Sequence, residues 1–149
     1  MIHFSDEVLK EVLERALFRG NVLKTEFQFS LIEGSFKRIV LLNIDFTIPE
    51  IFFFFTTSKI KGFLDGMHPD ITGNFVFVPR GKTPDNPNED MIIDCRKAYP
   101  ITKEKLLENF RNNKLTSLSP LNEEFMRDIN DIIGKSKLIS PRIKKFILP

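Results

Sequence analysis

One stretch, from Ser35 to Lys61, limits the possible folds of this chain more than any other: SFKRIVLLNIDFTIPEIFFFFTTSKIK. It contains two apolar runs, Ile39 to Ile44 and Ile51 to Phe55. Each run is too short for an isolated helix and is rich in the β-branched and aromatic residues that favour buried strands. Asn43 and Pro49 lie between the middles of these two runs. Asparagine favours turns, and proline cannot donate to a β-ladder. The stretch therefore predicts a β-hairpin.

The open end of this hairpin is polar. Lys37-Arg38 begins the first strand, and the hydroxyls and cations of Thr56 to Lys61 follow the second. Because the start of one antiparallel strand lies beside the end of its partner, we expect Arg38 and Thr57 to face a common point. Cations and hydroxyl donors around one point bind an anion the size of a phosphate. The hairpin therefore predicts a phosphate site.

The sequence on either side of the hairpin predicts further helices and strands. Ser5 is placed to cap a helix that Gly20 ends, and alternation from Thr25 to Leu31 indicates a half-buried strand. The other predicted elements are strands at Phe75 to Val78 and Met91 to Cys95, a polar loop from Pro79 to Asn88, and helices beginning after Thr102, Asn122 and Ser140. This order predicts an α+β fold with about five strands in a small antiparallel sheet or partly open barrel.

The length of 149 residues is sufficient for one domain with a core that needs no disulfides, and the chain has a single cysteine. We divide this domain into an N-terminal helix (1–20), a sheet or barrel region (21–100) and C-terminal helices with a basic tail (101–149). No apolar run approaches the length of a membrane span, and the N-terminus lacks the pattern of a secretion signal. We therefore expect a cytoplasmic protein that does not contact a membrane.

Positive charge is concentrated near the C-terminus. The net charge is only +2, but the segment from Gly134 to Pro149 contains five Lys or Arg and no acidic residue. Such a segment fits nucleic acid or an acidic protein partner. A solvated helix face is the alternative interpretation.

Two aspartates allow an alternative chemistry. Asp70 follows a proline, and Asp94 lies two residues before Arg96, a pattern similar to the paired carboxylates and cation of restriction-type nucleases. In those enzymes the two acids bind Mg²⁺ and a lysine activates water. Arg96 is a poor proton acceptor, and Lys97 points to the other face of the strand. We therefore favour a turn at Asp70 and a strand end at Asp94, and we expect neither a metal nor another cofactor.

Short motifs along the chain keep an order that is found in a known toxin family. Lys37 to Asn43 resembles the K-R-P-V-hydrophobic strand of the MazF/PemK-type toxins, and Thr56 to Lys59 resembles the threonine-serine that closes their next strand. The other motifs similar to that family are Arg19 to Val22, Phe75 to Val78, Glu89 to Arg96, Ile101 to Leu106 and Leu121 to Ile133. The chain differs from the family at Ile39, where a proline normally follows the arginine.

This resemblance implies an SH3-like barrel with appended helices, and a homodimer whose interface forms part of an RNA groove. It implies the toxin of a type II toxin-antitoxin system, a metal-independent endoribonuclease that cleaves single-stranded RNA and is blocked by a cognate antitoxin. By position, Arg38 would be the catalytic cation and Thr57 the hydroxyl that binds the scissile phosphate. The residues that we expect to bind the RNA backbone are Lys37, Ser58, Lys59, Lys61, Arg80 and Lys82. The alternative is a non-catalytic SH3-like module that binds RNA or protein through the same face.

Overall fold

A computed structural model describes residues 4–29, 32–59 and 73–149 of the chain. Its helices are α1 (Asp6–Ala16), α2 (Lys103–Arg111), α3 (Glu123–Lys135) and α4 (Pro141–Ile147). Its strands are β1 (Val22–Phe29), β2 (Ile32–Leu41), β3 (Glu50–Thr57), β4 (Phe75–Val78), β5 (Met91–Thr102) and β6 (Leu115–Ser117). The predictions for Lys61 and Asp70 lie outside the described residues.

The described strands form one antiparallel sheet with the order β4-β5-β3-β2-β1-β6. β2 and β3 are the predicted hairpin, with Ile39 opposite Phe55 and Leu41 opposite Phe53. The sheet is open, because in the part of the chain that the structure describes no pairing joins β4 to β6. The α+β class and the antiparallel sheet are confirmed, with six strands in place of about five.

Helices cover both faces of this sheet. Val40 and Phe54 point to one face, where they pack with α3 and α4 in a single apolar cluster. Ile39 and Phe53 point to the opposite face, where they pack with α1 and α2. We call these the α3 face and the α1 face. A strand that is buried on both faces needs a continuous apolar sequence, which explains the run from Ile51 to Phe55.

Phenylalanine rings fill the core on both sides of β3. On the α3 face the ring of Phe52 stacks with that of Phe146 in α4, with centroids 5.8 Å apart. On the α1 face the rings of Phe53 and Phe55 meet edge to face at 5.0 Å, and both contact Tyr99. These contacts connect the hairpin to α4 and to β5.

The sheet differs from its prediction at β5 and β6. The apolar run predicts a strand only from Met91 to Cys95, whereas β5 continues to Thr102. Between the two parts of β5 the register shifts, so that Phe53 lies opposite Tyr99 but Phe55 lies opposite Asp94. Extra residues in β5 therefore form a bulge, and pairing with β3 resumes beyond them. The second part of β5 could not be predicted, because it depends on pairing with a distant strand and not on a local sequence pattern. β6 was not predicted, because three residues are too few to show a period.

Helix starts follow their predicted caps more closely. The hydroxyls of Ser5, Thr102 and Ser140 each accept a backbone N–H three residues later, at 3.3, 3.1 and 3.3 Å. Asn122 also precedes α3 as predicted, but its side chain does not cap the helix. Its amide instead donates to the carbonyl oxygen of Lys82 at 3.1 Å. Among the described helices, none has the length and apolar character needed to cross a bilayer.

Arg19 connects α4 to the segment after β2 by hydrogen bonds. Its guanidinium donates to the carbonyl oxygens of Leu42 and Ile147, at 3.0 and 2.8 Å, and to the side chain of Asn130. Burial lowers the pKa of this guanidinium. Arg19 therefore contacts the carbonyl end of α4, where positive charge is favourable.

Candidate functional site

An open cavity of about 420 Å³ lies where β2 begins and β3 ends. Its walls include five residues that were predicted to act together at the end of the hairpin: Lys37, Arg38, Thr57, Ser58 and Lys59. We call it the β2–β3 cavity. These residues line the same cavity, although they do not all point to the same face of the sheet, and their catalytic and RNA-binding roles stay predictions.

Arg38 is half-buried at this cavity and is held by the loop that follows β4. One guanidinium nitrogen, Nη1, donates to the carbonyl oxygen of Asp85 at 2.8 Å. The hydroxyl of Thr56 donates to the carbonyl oxygen of Arg38 at 3.2 Å. A guanidinium has five N–H donors, so the bond to Asp85 orients the group and leaves donors for an anion.

The side chains of Arg38 and Thr57 point to opposite faces of the sheet, as the strand register shows. Since Ile39 lies opposite Phe55, the residue in register with Arg38 is Thr56, and both point to the α3 face. Thr57 is the next residue and therefore points to the opposite side of the strand. Its hydroxyl accepts the N–H of Lys59 at 3.2 Å. Arg38 and Thr57 both line the cavity, while the hydroxyl paired with Arg38 across the strands is that of Thr56.

The cavity also contains residues that the sequence did not single out. Lys24 lies opposite Arg38 on β1, and its Nζ lies 6.0 Å from the centroid of the Phe36 ring. Glu89 adds one carboxylate to the lining. In the sequence Phe36 directly precedes the cations Lys37 and Arg38. An aromatic residue beside two cations is a pattern from which Phe36 could have been predicted as part of the site. Lys24 could not be found in this way, because pairing between β1 and β2 brings it to the site.

The loop between β4 and β5 is fixed by an internal asparagine. Asn86 is buried, and its amide donates to the carbonyl oxygens of Val78, Pro79 and Glu89, each at 3.3 Å. Its side-chain oxygen accepts the N–H of Thr83 at 3.1 Å. The polar loop that the prolines predict is therefore held in one conformation by hydrogen bonds to its own backbone.

This loop also connects the cavity to the segment before α3. The carbonyl oxygen of Asp85 holds Arg38, while its carboxylate accepts the N–H of Ser119 at 2.7 Å. Two cations of the loop that were predicted to bind RNA do not line the β2–β3 cavity: Arg80 and Lys82. The Arg80 guanidinium lies 3.6 Å from the Asp90 carboxylate, and both loop cations are exposed.

Asp94, one of the two aspartates of the metal-nuclease alternative, is paired with Arg96. The Arg96 Nε and Nη2 atoms donate to the two carboxylate oxygens at 3.0 and 2.8 Å, and this hydrogen bonding raises the pKa of Arg96. The other aspartate, Asp70, lies outside the described residues. Within residues 4–29, 32–59 and 73–149, no group of three or more His, Cys, Asp or Glu side chains is arranged to hold a metal ion.

Comparison of the chain with protein-family models, curated proteins and solved structures gives no match. The resemblance to the MazF/PemK-type toxins consequently rests on the order of the sequence motifs.

Proposed function

We propose that the chain is a metal-independent endoribonuclease that cleaves single-stranded RNA, the toxin of a type II toxin-antitoxin system. The observation that carries this proposal is the composition of the β2–β3 cavity. Among the described residues, the cations that line it are Lys24, Lys37, Arg38 and Lys59, and Glu89 is the one carboxylate. Hydroxyls of Thr56, Thr57 and Ser58 line the same space. Such a set favours the phosphates of an RNA backbone.

RNA supplies the nucleophile for this reaction. The 2′-oxygen attacks the adjacent phosphorus, the bond to the 5′-oxygen breaks, and the products carry a 2′,3′-cyclic phosphate and a 5′-hydroxyl. The protein then has to accept one proton, return one to the leaving oxygen and stabilise the charge of the phosphorane. In this proposal the Glu89 carboxylate accepts the proton of the 2′-hydroxyl. Arg38 and Thr57 donate to the phosphoryl oxygens, and a water molecule held by Arg38 supplies the proton that the leaving 5′-oxygen takes up.

The motif order supports further parts of the same proposal. They are an SH3-like fold for the open sheet, a homodimer in which a second copy completes the RNA groove, and an antitoxin that covers this groove. An RNA substrate and a bacterial antitoxin are found in the cytoplasm, where we place the protein.

A second candidate function is RNA binding without cleavage. It is favoured by the bond between Arg38 and the Asp85 carbonyl oxygen, and by the register that points Thr57 away from Arg38. In that case the cavity binds phosphate, but its two principal groups do not act on the same phosphoryl oxygens.

Incubation of the purified protein with a long single-stranded RNA in EDTA separates these candidates. We expect discrete fragments that end in a 2′,3′-cyclic phosphate. Arg38→Ala should lower the rate by about 100-fold or more, because one lost donor to a developing oxyanion costs that much. Arg38→Lys should restore little, since lysine lacks the planar fork.

The matched control is Arg15→Ala, which removes an exposed arginine from α1 and should cleave like the wild type. Intact RNA with salt-sensitive binding would support the binding module, and activity that EDTA abolishes would support a metal nuclease. The toxin role is tested by induced expression in bacteria. Wild-type protein should stop growth and Arg38→Ala should not, and equal growth of the two cultures would count against a toxin.

A further inference from the structure

Phe36 combines unusual exposure with a cationic setting. Of the described residues that line the β2–β3 cavity, it is the one with an aromatic ring, and 49% of its surface is exposed. The Lys24 ammonium lies 6.0 Å from the ring centroid, and Lys37 and Arg38 follow directly in the sequence. An exposed phenylalanine alone needs no explanation, but this ring stands within a cluster of cations.

The strand places this ring beside the predicted phosphate site. Phe36 and Arg38 are two residues apart on β2, so their side chains share the α3 face and are separated by about 6.7 Å along the strand. Their β1 neighbours on that face are Glu26 and Lys24. This spacing along the strand is comparable to the reach of one nucleotide, from its phosphate to its base.

We propose that the Phe36 ring stacks on a base of a single-stranded nucleic acid whose phosphate is bound by Arg38 and Lys24. Aromatic rings stack on any base through their π-faces, while adjacent cations neutralise the backbone. This inference rests on the proposed function for the class of ligand, but it does not require cleavage. An acidic peptide could use the same cations, but it has no base to cover the ring.

The absence of tryptophan from the chain allows a direct test. Phe36→Trp introduces one fluorophore at the proposed stacking position, and Phe77→Trp introduces one at a ring on β4 that is similarly exposed, at 53%. The probe is a short 2′-O-methyl oligoadenylate, which cannot be cleaved by attack of its 2′-oxygen. We expect it to quench the fluorescence of Phe36→Trp and to leave that of Phe77→Trp unchanged. An abasic oligomer of the same length should quench neither.

Affinity provides a second measurement. Phe36→Ala should weaken binding of the oligoadenylate at least about fivefold, leave binding of the abasic oligomer unchanged, and be rescued by Phe36→Tyr. Circular dichroism of each variant confirms that the fold is intact. Equal loss on both oligomers, no loss on either, or binding of oligoglutamate in place of the oligoadenylate would overturn the proposal.

The two proposals can fail separately. Quenching of Phe36→Trp without cleavage of any RNA would retain the stacking site and reject the nuclease. Cleavage by the wild type, with no quenching in Phe36→Trp, would retain the nuclease and reject the stacking site.

Discussion

Arg38 illustrates how one side chain can contribute to both the fold and the site. Its position on β2 brings it to the cavity, and its bond to the Asp85 carbonyl oxygen joins β2 to the loop after β4. The sequence indicates the first of these roles, because Lys37-Arg38 opens a strand of a recognisable hairpin. It does not indicate the second, because the partner is a backbone oxygen 47 residues away.

Cys95 gives a prediction at the same scale. It is fully buried on the α3 face, and burial raises the pKa of its thiol well above the usual range, with a smaller contribution from the charge of Asp94. The unfolded chain ionises this thiol above about pH 8.5, whereas the folded chain does not. The contribution of the buried neutral thiol to the free energy of unfolding is therefore complete below about pH 8.5 and is lost as the pH rises.

Urea unfolding at two pH values measures this effect. Between about pH 7 and about pH 9.5, the wild type should lose about 1.4 kcal/mol more of its free energy of unfolding than Cys95→Ala does. The alanine variant controls for lysine and tyrosine titration, which is common to both proteins. Parallel losses in the two proteins would show that the thiol ionises in the folded state.

Among the elements, the loop between β4 and β5 has the clearest consequence for the site, since it holds Arg38. Asn86→Ala removes three hydrogen bonds to loop carbonyls and should open the loop locally. Trypsin should then cleave after Arg80 or Lys82 about tenfold faster or more, since proteolysis follows the population of open states.

Asn88→Ala is the control for this prediction, because it alters an exposed asparagine of the same loop. Its cleavage rate should match that of the wild type. Equal cleavage of Asn86→Ala and wild type would mean that the hydrogen bonds of Asn86 do not hold the loop.

Elements with local signals could be predicted from the sequence. The Ser5, Thr102 and Ser140 caps and the β2–β3 hairpin depend on neighbouring residues, so their patterns are visible in the letters. The second half of β5 and the strand β6 depend on pairing with distant strands. The same limit applies to the cavity: the hairpin residues were predicted together, whereas Lys24 arrives from β1 through the sheet register.

For the molecule as a whole, two groups of cations are candidates for binding RNA, those of the β2–β3 cavity and those of the segment after Gly134. In the second location Lys144 already donates to the carbonyl oxygen of Ser136 at 2.6 Å and so helps to end α3. The other cations there are fewer at each place: Lys135 and Lys137 line one pocket with Asp131, and Arg142 lines another with Glu50. We therefore propose the cavity, and not the C-terminal segment, as the surface that binds RNA.

The salt dependence of binding tests this assignment most directly. The ligand is the 2′-O-methyl oligoadenylate, and two triple variants are compared with the wild type. The cavity variant carries Lys37→Ala, Arg38→Ala and Lys59→Ala, and the tail variant carries Lys135→Ala, Lys137→Ala and Arg142→Ala. Each phosphate contact with a single strand contributes about 0.7 to the slope of log affinity against log salt. The cavity variant should lose about 2 from this slope while the tail variant keeps the wild-type value. An unchanged slope in the cavity variant, with the loss in the tail variant, would contradict the account.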